Sequence, residues 1–419
     1  MDFLIHRLRV AVTSNAVAAS LAVLLSACGP ANDTPRAAAR DSAGVTLIDL
    51  GDGDDINAVT IGPAKASRIE IDGEQVLHGI QSGTFVDDGA IVASRGTNNV
   101  HVVNSSGETA RTLGREGNGP GEFQRLGEAI VRPDGRVVAY DRIARRFAVY
   151  DLNGTLAGDH RVAVPEGASA FGSLSGLAGA FPDGGLLLWV GISPRAEFAP
   201  VPNTFGQSPV ILYSLNASGK PSTVYGEFPG EETYITAVTV APGRIEPGLV
   251  GPAPYGFATR FGVQGDRALV FDNRNGSVRA FDRTGRLAAI YRATWPKRAI
   301  KDSDAKNLLD EWVKDARPAG WEARRAMLSQ VKPPEVFPAF REAFTASDGT
   351  FWLEPFHYWN GETRVYVGFD RAGAAVGKLA IPYGDRLLDM KGGRALLLRR
   401  SEEGLEQVEV VEIGSAARR

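Results

Sequence analysis

Residues 113–151 read LGREGNGPGEFQRLGEAIVRPDGRVVAYDRIARRFAVYD. After a glycine-rich stretch, Gly114 to Gly121, come an apolar segment ending at Val131, the pair Asp134-Gly135, and two further segments, 136–140 (RVVAY) and 146–150 (RFAVY). Asp-Gly is a hairpin signal, because a two-residue turn of type I′ needs positive φ at both central residues. Val, Phe and Tyr in the two segments suit a sheet covered on both faces. The glycine-rich stretch invites comparison with a phosphate cradle, but such a loop opens a helix whose N-terminus meets the phosphate. This one runs from strand to strand and ends on Glu122, so it reads as a turn between sheets.

The same unit recurs on either side. Residues 80–114 form one copy, with turns at Asp88-Gly89 and Ser106-Gly107, and residues 126–162 form the next, with Asp134-Gly135 and Asn153-Gly154. First turns follow at Asp183-Gly184, Gln264-Gly265, Asp348-Gly349 and Gly392-Gly393, and second turns at Ser218-Gly219, Thr284-Gly285 and Gly373. Successive first turns lie 46, 49, 81, 84 and 44 residues apart. The short spacings match a four-stranded blade of about 40–50 residues, and the long ones require insertions of about 30–40. A single four-stranded sheet cannot bury both faces, whereas a ring of them can. The sixth unit has strands near 386–390, 394–400 and 406–412 but no fourth, while VTLIDL at 45–50 stands ahead of the first unit without a partner. The expectation is an all-β, six-bladed β-propeller over residues 45–415, closed by the N-terminal strand Val45–Leu50.

The opening stretch resembles an NHL-type repeat, with Gly117, Gly119, Pro120, Gly121, Phe123, Asp134, Gly135, Asp141, Arg146 and Asp151 at marker positions. The wider chain resembles the six-bladed propeller lipoproteins of bacteria. That resemblance implies a fold and says little about activity.

At the N-terminus, His6, Arg7 and Arg9 precede an apolar run from Val10 to Ala27 that is broken by Thr13, Ser14 and Asn15. It is shorter than the roughly 20 apolar residues of a spanning helix and reads as a signal peptide, residues 1–27. Leu25-Ser26-Ala27-Cys28 resembles the lipobox of bacterial lipoproteins, which implies that Cys28 is lipidated and becomes the mature N-terminus. Acyl chains anchor by burying methylenes at about 0.8 kcal/mol each. Gly29 in place of Asp implies, by the same resemblance, the outer membrane. Residues 28–44 carry almost no large apolar side chain and are expected to be a flexible tether.

Composition removes other classes. One Cys in 419 residues excludes a disulfide framework and a thiolate metal cluster. A net charge of −3 gives no reason to expect a nucleic-acid partner. The 49 Gly and 24 Pro, without a period, suit a turn-rich globular chain.

In a propeller, the 2–3 and 4–1 connections emerge on one face, and every long connection here is of those kinds: 191–209, 226–254 and 296–337. Long loops without core duties are commonly functional. Leu308, Leu309, Trp312, Val313 and Ala316 recur at helical spacing behind Asp302, and Pro318 ends the pattern. With a second short helix near Trp321–Leu328, they predict a helical insertion at about 302–330, between blades four and five, packed on that face.

Candidate chemistry sits at the channel mouth. Propeller enzymes of the gluconolactonase kind hold a metal there with Glu, Asn and Asp, and Glu128, Glu342 and Asp385 fall near the entrance on blades two, five and six. They are candidate ligands for a divalent metal, or else partners of Arg260, Arg341 and Arg386 on the same strands, which are themselves candidate ligand-binding residues. His78, His101, His160 and His357 have no metal spacing, and no G-x-S-x-G elbow is present. In the 2–3 connection 356–362 (FHYWNGE), Tyr358 and Trp359 are placed to stack on a sugar, to grip a peptide, or to pack beneath the insertion, and His357 beside them is a further ligand-binding candidate. Arg142, Arg145 and Arg146 form a small basic cluster, with Arg146 structural and the other two solvated. The expected function is a lipid-anchored envelope protein that binds a ligand or partner protein through the elaborated face, without catalysis or cofactor. The alternative is a lactonase- or lyase-type enzyme using the channel-mouth acids.

Overall fold

The computed structural model describes residues 39–413 apart from 52–53, 55, 62–66, 69–77, 88, 105–107, 167, 169–174, 193–203, 242, 254, 305, 308–334 and 401–405. The expected signal peptide, Cys28 and most of the expected helical insertion lie outside the described residues; of the insertion, 302–304 and 306–307 are helical.

Six antiparallel sheets follow one another along the chain. Blade one is Ile80–Val86, Gly89–Ser94, Asn99–Asn104 and Thr109–Leu113. Blade two is Leu126–Val131, Val137–Asp141, Arg146–Tyr150 and Leu156–Arg161. Blade three is Ser175–Ala180, Leu186–Gly191, Thr204–Leu215 and Pro221–Ala241, with Arg244–Pro252 added outside. Blade four is Thr259–Gln264, Arg267–Asp272, Ser277–Phe281 and Leu287–Ala293. Blade five is Phe340–Thr345, Phe351–Pro355, Thr363–Phe369 and Ala375–Pro382. Blade six is Arg386–Lys391, Arg394–Arg400 and Glu406–Glu412, completed by Ser67–Arg68.

The core lies between blades. Successive residues of a strand point to opposite faces, so Ile91 and Ala93 pack toward blade two while Ala90 and Val92 pack toward blade six. Each of the six interfaces has its own apolar cluster, and Tyr291, Phe351 and Phe369 at blades four and five are fully buried. This arrangement confirms the six-bladed propeller.

The N-terminal segment takes a different path from the one expected. Val45–Leu50 does not close the ring; it pairs in parallel with Leu287–Ala293 on the outer edge of blade four. Val59–Thr60 then pairs in parallel with the outer strand of blade five, and Ser67–Arg68 pairs antiparallel with Glu406–Glu412 and completes blade six. The chain thus straps three blades before entering blade one. Val45–Leu50 is held at blade four by Ile48 and Leu50, which drop into the core between blades four and five. Beside them, Asp49 pairs with Arg292 at 2.6 Å and Trp295 Nε1 donates to Gly51 O at 3.0 Å. At the end of the expected tether, Ala39–Ser42 pairs antiparallel with Val45–Leu50.

Most turns also differ from expectation. Gly135 N–H donates to Arg132 O and Arg132 N–H to Arg136 O, the same pattern recurs at Gly154, Gly184, Gly219, Gly285, Gly349 and Gly373, and none of the residues preceding these glycines has positive φ. These are longer loops in which glycine alone takes the left-handed conformation. The preceding Asp134, Asn153, Asp183 and Asp348 instead accept the N–H two residues on. Gly392-Gly393, with φ of 58° and 75°, is the pair whose two central residues both fit a type I′ turn.

The glycine-rich loop is a strut between blades one and two. Gly119 N–H donates to Glu122 and Gly121 N–H to Asp159, at 2.8 and 2.7 Å, so its donors are already met by carboxylates. Arg146 reaches the carbonyls of Asn118, Gly119 and Glu122, and Tyr150 donates to Gly121 O.

Candidate functional site

The innermost strand is bulged in five of the six blades. The register slips at Gln81, at Gly127–Glu128, at Ala178, at Arg341–Glu342 and at Leu388, whereas Thr259–Gln264 pairs without interruption. A bulge re-aims a side chain and loosens the ladder. It places Glu128, Arg341 and Glu342 at the end of the channel where the 2–3 and 4–1 connections emerge.

Each predicted acid forms its ion pair with an arginine other than the three expected. Glu128 pairs with Arg142 and accepts the Leu177 N–H at 3.3 Å. Glu342 pairs with Arg364 at 2.9 Å and accepts from Tyr366 at 3.1 Å. Asp385 pairs with Arg399 at 3.2 Å. Burial opposes the charge on Glu342, but Arg364, Arg386 and Arg341 together hold its carboxyl well below the usual range. Burial raises Asp385, with Arg399 opposing and Glu409 assisting. Among the described residues, no three of His, Cys, Asp and Glu gather as they would around a metal ion. Arg260 pairs with Glu231 at 2.5 Å, Arg341 donates to Tyr383 at 3.1 Å, and Arg386 lies 3.4 Å from the carbonyls of Ile80 and Gln81.

The hub of the mouth is a residue the sequence reading passed over. Arg364 is 5% exposed and forks onto Glu354, which is 3% exposed, at 3.0 and 2.5 Å. It also holds Glu342 and donates to Asp385 O at 2.9 Å. The signal was a charge in each of two strands, Phe351–Pro355 and Thr363–Phe369, that are otherwise apolar and covered on both faces.

The insertions carry a small core of their own. Residues 226–254 are not an open connection: most of them belong to a hairpin of Pro221–Ala241 and Arg244–Pro252 that rises above blade three. From its base, Glu231 reaches Arg260 and Glu232 lies 3.6 Å from Arg274. Tyr255, Phe337, Phe356 and Trp359 pack together, with Phe205, Ile300 and Tyr383 against them. Phe337 and Phe356 stack at 4.6 Å and Arg298 lies over Trp359 at 4.8 Å. Trp359 is therefore packed inside this layer. Tyr358 faces elsewhere: its hydroxyl donates to Asp54 at 2.5 Å, Lys378 sits over its ring at 3.8 Å, and His357 lies against Trp295.

A cavity of about 500 Å³ opens at the opposite, plain end of the channel. It is lined by the first turns of all six blades, among them Val86, Val131, Ala180, Val263, Ser347 and Leu388. At its wall, Asp389 is 3% exposed and accepts from Phe85 N–H and from both the N–H and hydroxyl of Ser347, at 2.7 to 2.8 Å, tying blades five, six and one. Burial nonetheless raises its pKa to about 6. The unfolded chain binds this proton only below about pH 4. The folded state is therefore the better proton binder between pH 4 and 6, and stability falls across that window as pH rises, by about 3 kcal/mol. Asp389→Asn is expected to remove this slope, so its melting temperature rises relative to wild type from pH 4 to 7. Parallel profiles would contradict the assignment.

Residues 72–170 match the DUF5128 family, described as a six-bladed beta-propeller. No curated protein matches the chain. Among solved structures, a Bacteroides fragilis protein described as a "putative exported protein" is 10% identical, with 88% of this chain and 100% of that one covered and a TM-score of 0.47. A catalytically inactive virginiamycin B lyase from Staphylococcus aureus with quinupristin is 11% identical, covering 82% and 89%, at a TM-score of 0.34. A calcium-binding protein, regucalcin, from Agrobacterium tumefaciens is 10% identical, covering 87% and 96%, also at 0.34.

Proposed function

We propose that the protein is anchored in the bacterial cell envelope, at the outer membrane, through lipidated Cys28 and binds a ligand or partner protein, without catalysis, through the face that carries its insertions. The observation that carries this reading is convergence. The connection that follows the hairpin above blade three, the connection between blades four and five and the 356–362 turn share one aromatic layer beside the Arg–Glu mouth of the channel. Long connections given a core of their own are held in place, and a pre-formed surface binds at lower entropic cost than a mobile one. A lactonase- or lyase-type site finds less support, because each acid at the mouth is engaged by an arginine.

A thermal-shift screen of sugars, peptides, organic acids and nucleotides tests the reading. Ligands found are expected to bind at least about tenfold more weakly to Arg260→Ala and Arg341→Ala, an effect of about 1.4 kcal/mol or more, and unchanged to Lys391→Ala at the plain end. Dependence on Lys391 instead of the mouth would sink it. Labelling with radioactive palmitate that is lost in Cys28→Ser checks the anchor.

A further inference from the structure

A second group of arginines stands on the same face, where blades six, one and two meet. Arg95 follows the second strand of blade one, Arg125 leads into the first strand of blade two, and Arg142 follows the second strand of that blade. Backbone hydrogen bonds bring them together. Arg142 N–H donates to Arg125 O at 3.1 Å, and Leu126 N–H donates to Asn98 Oδ1 at 3.0 Å, pinning the loop that carries Arg95 beside Arg125. Arg95 N–H donates to Gly79 O at 3.1 Å, next to the Ile80 and Gln81 carbonyls that Arg386 approaches from blade six. A Cβ on Gly127 would stand 2.7 Å from Arg142 Nε, so glycine at 127 is what lets that side chain lie across the inner strand.

Positive charge is in excess here. Of the nearby carboxylates, Glu128 is held by Arg142, Glu406 accepts the Ile80 N–H at 2.8 Å and pairs with Arg400 at 3.1 Å, and Glu342, on which the Arg386 charge also acts, has its ion pair with Arg364. Among the described residues, Arg95 and Arg125 have no ion-pair partner, and Arg386 contacts carbonyl oxygens. Burial and then the charges of Arg125 and Arg142 lower the pKa of Arg95, against Glu406. A guanidinium is a fork of donors with no acceptor, matched by the paired oxygens of a carboxylate or phosphate.

Resting on the reading of this face as the binding face, we propose that the rim between blades six, one and two is an oxyanion-binding site. Arg95, Arg125 and Arg386 take a carboxylate or phosphate group of the ligand, and Glu128 holds Arg142 in place beside them. The bound anion offsets the mutual repulsion of the arginines and stabilises the fold by mass action.

Titration calorimetry with citrate and with inorganic pyrophosphate in 0.15 M NaCl tests the assignment. At least one is expected to bind with a dissociation constant below about 1 mM and more weakly in higher salt. Arg95→Ala/Arg125→Ala is expected to weaken binding at least about tenfold, and Arg95→Lys/Arg125→Lys, which keeps charge but not the fork, by less. Binding of citrate alone marks a carboxylate ligand, of pyrophosphate alone a phosphate ligand, and of both a general oxyanion site. Binding of neither, or equal binding by the wild type and a folded double-alanine variant, overturns the proposal. Screening hits that depend on Arg260 and Arg341 while both anions fail to bind would leave the binding face standing and remove the oxyanion site. Hits that follow Lys391 would remove the binding face itself.

Discussion

Arg364→Met is expected to cost about 3–5 kcal/mol of stability and about 5 °C in melting temperature. Met replaces the stem of the side chain, so the loss is mostly electrostatic. Glu354 keeps its burial and loses both fork contacts, Glu342 loses its ion pair, and the carbonyl of Asp385 loses a donor. Removing one partner of a buried pair strands the other charge, which is why the cost exceeds what the pair itself contributes. The effect has a pH signature. In the wild type, against the effect of burial, Arg364 is the largest of the charges that hold the Glu342 carboxyl down to about 2. Without it Glu342 ionises less readily in the fold, so the deficit grows as pH rises above about 2. Glu354→Gln placed in the Arg364→Met background should recover part of the loss, because the two residues are directly coupled. A melting temperature within about 1 °C of wild type at pH 8 would show that the hub is not what organises the mouth.

Removing the chain before residue 52 is expected to destabilise the propeller by about 4 kcal/mol or more while leaving it folded. The truncation takes Ile48 and Leu50 out of the core between blades four and five, where both are buried, and strips the cover from Tyr291 and Trp295. Blade four nonetheless keeps its four strands. Leu50→Ala alone should cost about 2–5 kcal/mol. Removing the chain through residue 77 should do more, since it deletes Ser67–Arg68 and leaves blade six one strand short. The two deletions are distinguished by near-ultraviolet circular dichroism and melting: the first should give a lower, still cooperative transition, the second a loss of cooperativity. Equal melting temperatures for the first truncation and wild type would mean that the strap is ornamental.

The propeller was legible in the sequence because its information is local. Turn glycines such as Gly135 and Gly184 mark the ends of strands, and strands such as Val137–Asp141 carry apolar residues on both faces because they are covered on both faces. Counting those units yields the blade number. The same logic selects Val45–Leu50 as an outer strand but not its partner, since an alternating strand pairs equally well with any open edge of matching polarity. Its place was decided by the pocket that Ile48 and Leu50 fill beside Gly373, where a Cβ would stand 2.5 Å from Ile48 Cγ2. The strand that closes the ring is two residues long, Ser67–Arg68, too short for any periodicity to reveal.

The chemistry of the mouth divides in the same way. Its acids and arginines were visible as charges near the start of inner strands. Who pairs with whom depends on bulges that turn Glu128 and Glu342 away from a regular ladder and on blade geometry that brings Arg142, Arg364 and Arg399 to them. Sequence by itself determined the number of blades, the all-β class and the face that carries the insertions, because turn chemistry and period-two patterning act over a few residues. Only the tertiary structure decided the strap, the ion pairs and the grouping of Arg95, Arg125 and Arg386, because those contacts join residues tens to hundreds of positions apart, for which local pattern holds no record.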